Sequence, residues 1–174
     1  KHNITVPDGK MTPEVLWAFG RLSDIQISPD NQTILYGVSY YSVEQNKSNR
    51  ELFTISTNGE NNTQITHTKK GEFNAKWVKN GTKIAFLSAS SGSMQLWEMT
   101  PDGSDRQQIS DYEGGIADYL YSPDNQKVIV IANVKSKPNT SDVYPDLDKT
   151  SGIIVDDLMY KHWDHWVENV PHTF

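Results

Sequence analysis

Between residues 156 and 166 the chain gathers two Trp, two His and three Asp within eleven positions, a density of reactive types found nowhere else in it. His162-x-x-His165, with Asp164 between them, could turn two imidazoles toward a metal on one helical turn. A tetrahedral site needs a third protein ligand that the sequence does not supply, and Trp163 and Trp166 speak for packing. No metal and no other cofactor is therefore expected. Nucleophilic catalysis has less to work with. There is no cysteine and no Gly-x-Ser-x-Gly elbow, and His2, His67, His162, His165 and His172 have no nucleophile to serve. The segment alone is expected to be inactive. Asp156 and Asp157 form an adjacent acidic pair, and on a strand neighbouring side chains point to opposite faces, so at most one would reach a shared cavity.

The elements that must carry these residues repeat. Ile25–Ile27, the turn Ser28-Pro29-Asp30-Asn31-Gln32 and Thr33–Val38 read as strand, tight turn, strand. Ala75–Trp77, Val78-Lys79-Asn80-Gly81-Thr82 and Lys83–Ser88 form a second copy; Tyr119–Tyr121, Ser122-Pro123-Asp124-Asn125-Gln126 and Lys127–Ala132 form a third. Pro presets φ for a type I turn, Asp caps it, and Asn or Gly takes the left-handed position of a bulged hairpin. The middle copy lacks the Pro and is the weaker one. Two further half-buried strands follow the first two hairpins, Glu51–Ile55 and Gln95–Met99. Leu52 and Leu96 lie 44 residues apart, as do Ile65 and Ile109. The first and second turns are 50 apart, and the excess falls in a loop expected over Tyr40–Asn49.

Four short strands per 40–50 residues is about the period of a β-propeller blade. The fold class is all-β: an arc of about three four-stranded antiparallel blades, an incomplete ring. Blade one is expected over about 21–67, blade two over about 71–111, the start of blade three over about 115–133, and an insertion over about 134–174. Residues 1–20 precede them with a short helix, Thr12 its N-cap and Pro13 its first position. The rest of the ring would come from a longer chain or from another one. Trp77, Phe86 and Trp97 are expected in the core. Tyr40 and Tyr41 stand at a strand end as loop contacts or pore lining.

Composition sets the boundaries. Hydrophobic residues make up 36%, the net charge is -6 and the mean hydropathy is -0.63. With no basic run, a nucleic-acid partner is excluded, and no apolar stretch approaches the roughly 18 residues of a membrane span. Lys1 is not an initiator Met, so processing or trimming is expected, a removed export signal included. Asn-x-Ser/Thr begins at Asn3, Asn31, Asn46, Asn61, Asn80 and Asn139. Turn geometry accounts for several of these, and glycan attachment in a secreted protein stays open.

Thr12-Pro13-Glu14-x-Leu16-Trp17, the Ser-Pro-Asp-Asn turns and Asp156-Asp157-Leu158-Met159-Tyr160-Lys161-His162-Trp163-Asp164-x-Trp166 together resemble one group of proteins. That group is the propeller half of the prolyl oligopeptidase family of serine peptidases, in its bacterial dipeptidyl peptidase V and acylaminoacyl-peptidase-like branch. The resemblance implies a separate C-terminal α/β-hydrolase domain with the catalytic triad, further blades, peptide substrates gated by the propeller, and release of dipeptides or acyl-amino acids. It also implies the periplasm, the cytoplasm staying open, and leaves a homodimer open. In such enzymes acidic groups of the propeller can hold the substrate's free amine. Asp156, Asp157, His162, Trp163 and Asp164 are therefore the candidate substrate contacts, weighed against an insertion packed on the propeller rim. A TolB-like interaction propeller is the rival reading.

Overall fold

The computed structural model describes residues 6–135, 137–147, 149–156, 158, 160–166 and 169–173. The first helix, α1 (Pro13–Ala18), starts where its caps require: Thr12 is extended, and its hydroxyl accepts from the Val15 amide at 3.4 Å. Val15 is buried and ties the helix to the first blade.

Blade one comprises β1 (Arg21–Ile27), β2 (Thr33–Ser42), β3 (Lys47–Ser56) and β4 (Thr63–Gln64), paired in that order and antiparallel throughout. Blade two repeats it with β5 (Glu72–Val78), β6 (Lys83–Ser88), β7 (Gln95–Met99) and β8 (Gln107–Gln108). Blade three has β9 (Ile116–Tyr121) and β10 (Val128–Lys135). After an intervening segment with a one-turn helix, α2 (Thr140–Val143), and a two-residue hairpin, β11 (Lys161–His162) with β12 (His165–Trp166), the strand β13 (Asn169–Thr173) pairs with β10. The architecture is the all-β propeller arc the repeat implied, with its short N-terminal helix.

The Ser-Pro-Asp-Asn turns match atom for atom. Ser28 donates its hydroxyl to Asp30, and Oγ accepts from Thr33 N at 2.9 Å; Ser122 does the same with Asp124 and with Lys127 N at 3.0 Å. Asn31 and Asn125 sit at φ 60° and 55°. The middle turn differs because it has no proline to hold φ negative. Lys79, Asn80 and Gly81 all take left-handed angles there, and Lys79 N donates to Asn125 Oδ1 of the next turn at 2.9 Å.

Two apolar layers join the blades. Leu35, Leu52 and Ile65 of blade one meet Ala75, Ile84, Phe86 and Met99 of blade two, with Trp77 and Trp97 against them. Val78, Ala85, Leu87 and Leu96 meet Ile116 and Tyr119 of blade three. Each face is buried only because its neighbour covers it, as in any stacked repeat.

The loop expected over Tyr40–Asn49 is not a loop. β2 runs on through Tyr40, Tyr41 and Ser42, which pair with Asn49, Ser48 and Lys47. Two consecutive tyrosines favour the extended backbone, and Asn46 at φ 47° closes the turn. The extra residues of the first repeat thus lengthen one hairpin beyond the blade. Among the sequon asparagines, Asn31, Asn46, Asn61 and Asn80 all have positive φ, and Asn139 caps α2 with a capping box.

Candidate functional site

One position recurs on the first strand of every blade. Asp24, Asn74 and Asp118 occupy equivalent places, 50 and 44 residues apart, the first two inside a bulge in the pairing of their strand with the next and Asp118 beside one. Asp24 and Asn74 lie at φ 52° and 50°, a conformation that Asp and Asn tolerate better than other side chains. The bulge aims them along the arc rather than across the sheet. Asp24 Oδ2 accepts from the Asn74 amide at 3.1 Å, and the Asn74 side chain donates to Asp118 Oδ1. The three blades are laced by a polar row.

Arg50 anchors the row from behind. Its guanidinium donates to Asp24 at 2.7 Å and to the Glu72 carbonyl at 2.9 Å, and it is buried. It fits only because Gly37 lies beneath it: a Cβ there would stand 1.9 Å from Arg50 Nη2. A glycine inside a strand signals close approach of another group, a signal that the sequence reading passed over. Glu72 is fully buried. Its Oε1 accepts from Arg106 at 2.9 Å and from Thr68 Oγ1 at 2.8 Å, while Oε2 has no partner among the described residues.

A second repeat, not evident in the sequence, ties the third strand of blades one and two to the segment that follows the fourth. In blade two, Gln95 Oε1 accepts from Ser110 Oγ at 2.7 Å and Tyr112 N at 3.0 Å, while its amide donates to Tyr112 O and Ser93 Oγ, both at 2.8 Å. In blade one Glu51 stands for Gln95, Thr66 for Ser110 and Thr68 for Tyr112. Glu51 accepts from Thr66 Oγ1 at 2.6 Å and Thr68 N at 2.8 Å. A carboxylate cannot donate to Thr68 O, so Asn49, which replaces Ser93, does so at 2.6 Å and also bonds Glu51 at 2.8 Å. Burial pushes the Glu51 carboxyl above the ordinary glutamate range, with the nearby Glu72 adding to it and Thr66, Thr68 and Asn49 pulling the other way.

The lengthened β2–β3 hairpin forms the wall of a cleft. Two adjoining hollows, of about 380 and 580 Å³, lie between that hairpin, Trp17 of α1 and the Thr68–Lys69 linker. Trp17 and Tyr41 meet edge to face at 5.5 Å, with Arg21 over the Tyr41 ring at 5.8 Å. Lys47 and Lys69 contribute the charge, and Asn49 lies in the floor with a buried Oδ1 that has no partner among the described residues. Tyr40 and Tyr41, ambiguous in the sequence, line this cleft.

Of the residues singled out between 156 and 166, Asp156, His162, Trp163, Asp164 and Trp166 are exposed. Asp156 is exposed on irregular backbone, and Asp157 lies outside the described residues. Lys161, His162, His165 and Trp166 form the hairpin ladder, with Trp163 and Asp164 at its turn. Trp163 is 89% exposed at φ 54°. Tyr160 and Trp166 stack at 6.1 Å, and Lys161 sits over the Trp166 ring at 5.2 Å. His162 and His165 are thus register partners on two paired strands rather than neighbours on one helical turn. Among the described residues no group of three His, Cys, Asp or Glu could hold a metal ion.

No protein-family model matches the chain. The dipeptidyl-peptidase 5 of Porphyromonas gingivalis is 48% identical to it over 164 residues, 94% of this chain. Along nearly its whole length this chain is similar to dipeptidyl-peptidase 5 sequences. The dipeptidyl-peptidase 5 of Porphyromonas endodontalis is 39% identical over 98% of the chain. The chain spans about a quarter of these relatives, 24% of the first and 25% of the second. A solved acylaminoacyl peptidase from Pyrococcus horikoshii superposes on 84% of the chain and 21% of its own length with a TM-score of 0.61 at 14% identity, a likeness of fold. The bulge row, the blade locks and the cleft are thus features of a dipeptidyl-peptidase 5-like propeller segment.

Proposed function

We propose that this chain is the non-catalytic propeller part of a serine exopeptidase, which gates and orients peptides for a separate α/β-hydrolase domain that releases dipeptides or acyl-amino acids. The observation that carries the reading is the similarity to two dipeptidyl-peptidase 5 proteins over 94% and 98% of the chain. The bulge row supports the gate. Asp24, Asn74 and Asp118 turn short polar groups along the first strands of successive blades, where a closed ring would have its opening. Hydrogen bonds between blades at that radius resist widening, which favours thin, unfolded peptides. The periplasm is the compartment this reading assigns. Asp156, Asp157, His162, Trp163 and Asp164 remain the residues to probe for contact with the substrate's amine, since charge pairing in a water-poor enclosure orients strongly.

The experiment compares the full-length protein with its Asn74→Asp variant on dipeptidyl chromogenic substrates and on peptides of increasing length. Chromogenic turnover by both proteins, with a shifted length cut-off only in the variant, supports gating. An unshifted cut-off rejects the gate, and absence of dipeptide release rejects the enzyme in favour of an interaction propeller.

A further inference from the structure

The cleft beside the lengthened hairpin has a chemistry that the blade repeat does not require. Lys47 comes from the hairpin and Lys69 from the linker between blades one and two, and both border the same hollow. No ion pair of either lysine occurs among the described residues, whereas Lys76, Lys79, Lys83 and Lys135 each have one. No described residue lining either hollow carries a carboxylate. In a chain of net charge -6, a concave site with two cations and no acid runs against the surrounding field. Beside the lysines stands the aromatic wall of Trp17 and Tyr41, whose edge-to-face contact at 5.5 Å leaves Trp17 45% exposed. The hairpin that brings these groups together is longer than its blade-two counterpart, β2 and β3 having ten residues each and β6 and β7 six and five.

We propose that this cleft is a carboxylate subsite that takes the C-terminal end of an extended peptide, with the ammonium groups of Lys47 and Lys69 on the carboxylate and the Trp17–Tyr41 wall on the last side chain. The inference rests on the exopeptidase reading above. An enzyme that removes residues from the N-terminus directs the rest of the peptide away from its catalytic centre. The terminal carboxylate is the one charged group that all such substrates share at the far end. Lysine suits the task because its ammonium is a point charge on a long stem and sets no planar geometry on its partner. A peptide seated there has its near end free and its far end fixed, which converts remote binding into orientation at the reacting bond.

The test uses the full-length protein and pairs of peptides differing only in the terminus, free acid against amide, over a series of lengths. Wild type should prefer the acid at the lengths that reach the cleft by about tenfold in kcat/KM, the worth of one charge-assisted hydrogen bond. In Lys47→Met/Lys69→Met the acid-to-amide ratio should collapse toward one; because both peptides meet the same variant, a folding defect cancels from the ratio. Equal rates for acid and amide in wild type, or a preference that survives the double substitution, overturn the proposal. An amidated peptide whose acidic side chain restores the preference also overturns it, by moving the specificity from terminus to side chain. Calorimetric titration with acid and amide peptides whose first two peptide bonds are replaced by uncleavable isosteres separates the two readings. Acid-selective binding without dipeptide release sinks the exopeptidase and keeps the subsite; equal binding or none sinks the subsite.

Discussion

Blade one and blade two solve the same hydrogen-bonding problem with different residues, so one can be rewritten as the other. In blade one Asn49 and Glu51 share the work that Gln95 and Ser93 do in blade two. Asn49→Ser alone removes the donors to Thr68 O and to Glu51 Oε1, which stand at 2.6 and 2.8 Å, and leaves a half-buried carbonyl and a buried carboxylate short of partners. That loss costs about 1–3 kcal/mol. Glu51→Gln alone must set the new NH2 either against the Thr66 hydroxyl that donates to Oε2 or against the Asn49 amide that donates to Oε1, donor facing donor, at a similar cost. The double variant recreates the blade-two arrangement: the introduced glutamine accepts from Thr66 and Thr68 N and donates to Thr68 O and to the new serine. The two substitutions should therefore couple by about 1–3 kcal/mol, the size expected within one network. The assay is hydrogen exchange of the Thr68 amide in the full-length protein, since that amide donates to Glu51 at 2.8 Å. Both single variants should exchange faster than wild type and the double variant should recover most of the protection. Additive losses, or a Glu51→Gln variant as protected as wild type, would refute the blade equivalence.

The pH dependence of the same lock has a definite sign. Because burial raises the Glu51 pKa, the folded state holds that proton to higher pH than the unfolded one, and its contribution falls as pH rises past about 4, the ordinary glutamate value. Thermal midpoints should show wild type gaining on Asn49→Ser/Glu51→Gln as the buffer is acidified from neutrality toward that value; a constant gap would contradict it. Gly37→Ala should displace Arg50 from Asp24 and Glu72 O and lower stability by about 3 kcal/mol or more, the range for breaking a buried charged network, with Arg50→Met milder than Gly37→Ala if steric conflict dominates. Both are read by chemical unfolding. Tyr119→Phe removes a hydroxyl that lies 2.7 Å from both Asn74 O and Ala85 O, and should cost about 1 kcal/mol in the same assay.

The blade turns were legible because their chemistry is local. Pro fixes a dihedral, Asp caps the turn, and Asn takes the left-handed angle within five residues of one another. The bulge row was not, since Asp24, Asn74 and Asp118 acquire meaning only when three strands lie side by side. Arg50 looks like a surface cation until Gly37 is seen to make room for it. The Glu51–Thr66–Thr68 lock spans up to 17 residues and differs in side chain between blades, so the 44-residue period that revealed the leucines hid it. The 156–166 stretch carried the family resemblance, but Asp156 lies on irregular backbone outside the hairpin that places His162, Trp163 and Asp164 along its strand and turn. Density of residue types in sequence is not convergence in space. The cleft had a visible cause, the surplus residues of the first repeat, which resemble a loop in sequence because Tyr40 and Tyr41 adjoin Ser42 and a turn.

The central claim is that these blades serve a peptidase without performing its chemistry. Its most direct test is the release of chromophore from dipeptidyl and acyl-aminoacyl substrates by the full-length protein and by residues 1–174 alone. The account predicts turnover by the full-length protein and none by the segment. Turnover by the segment, or none by the full-length protein on either substrate class, would contradict it.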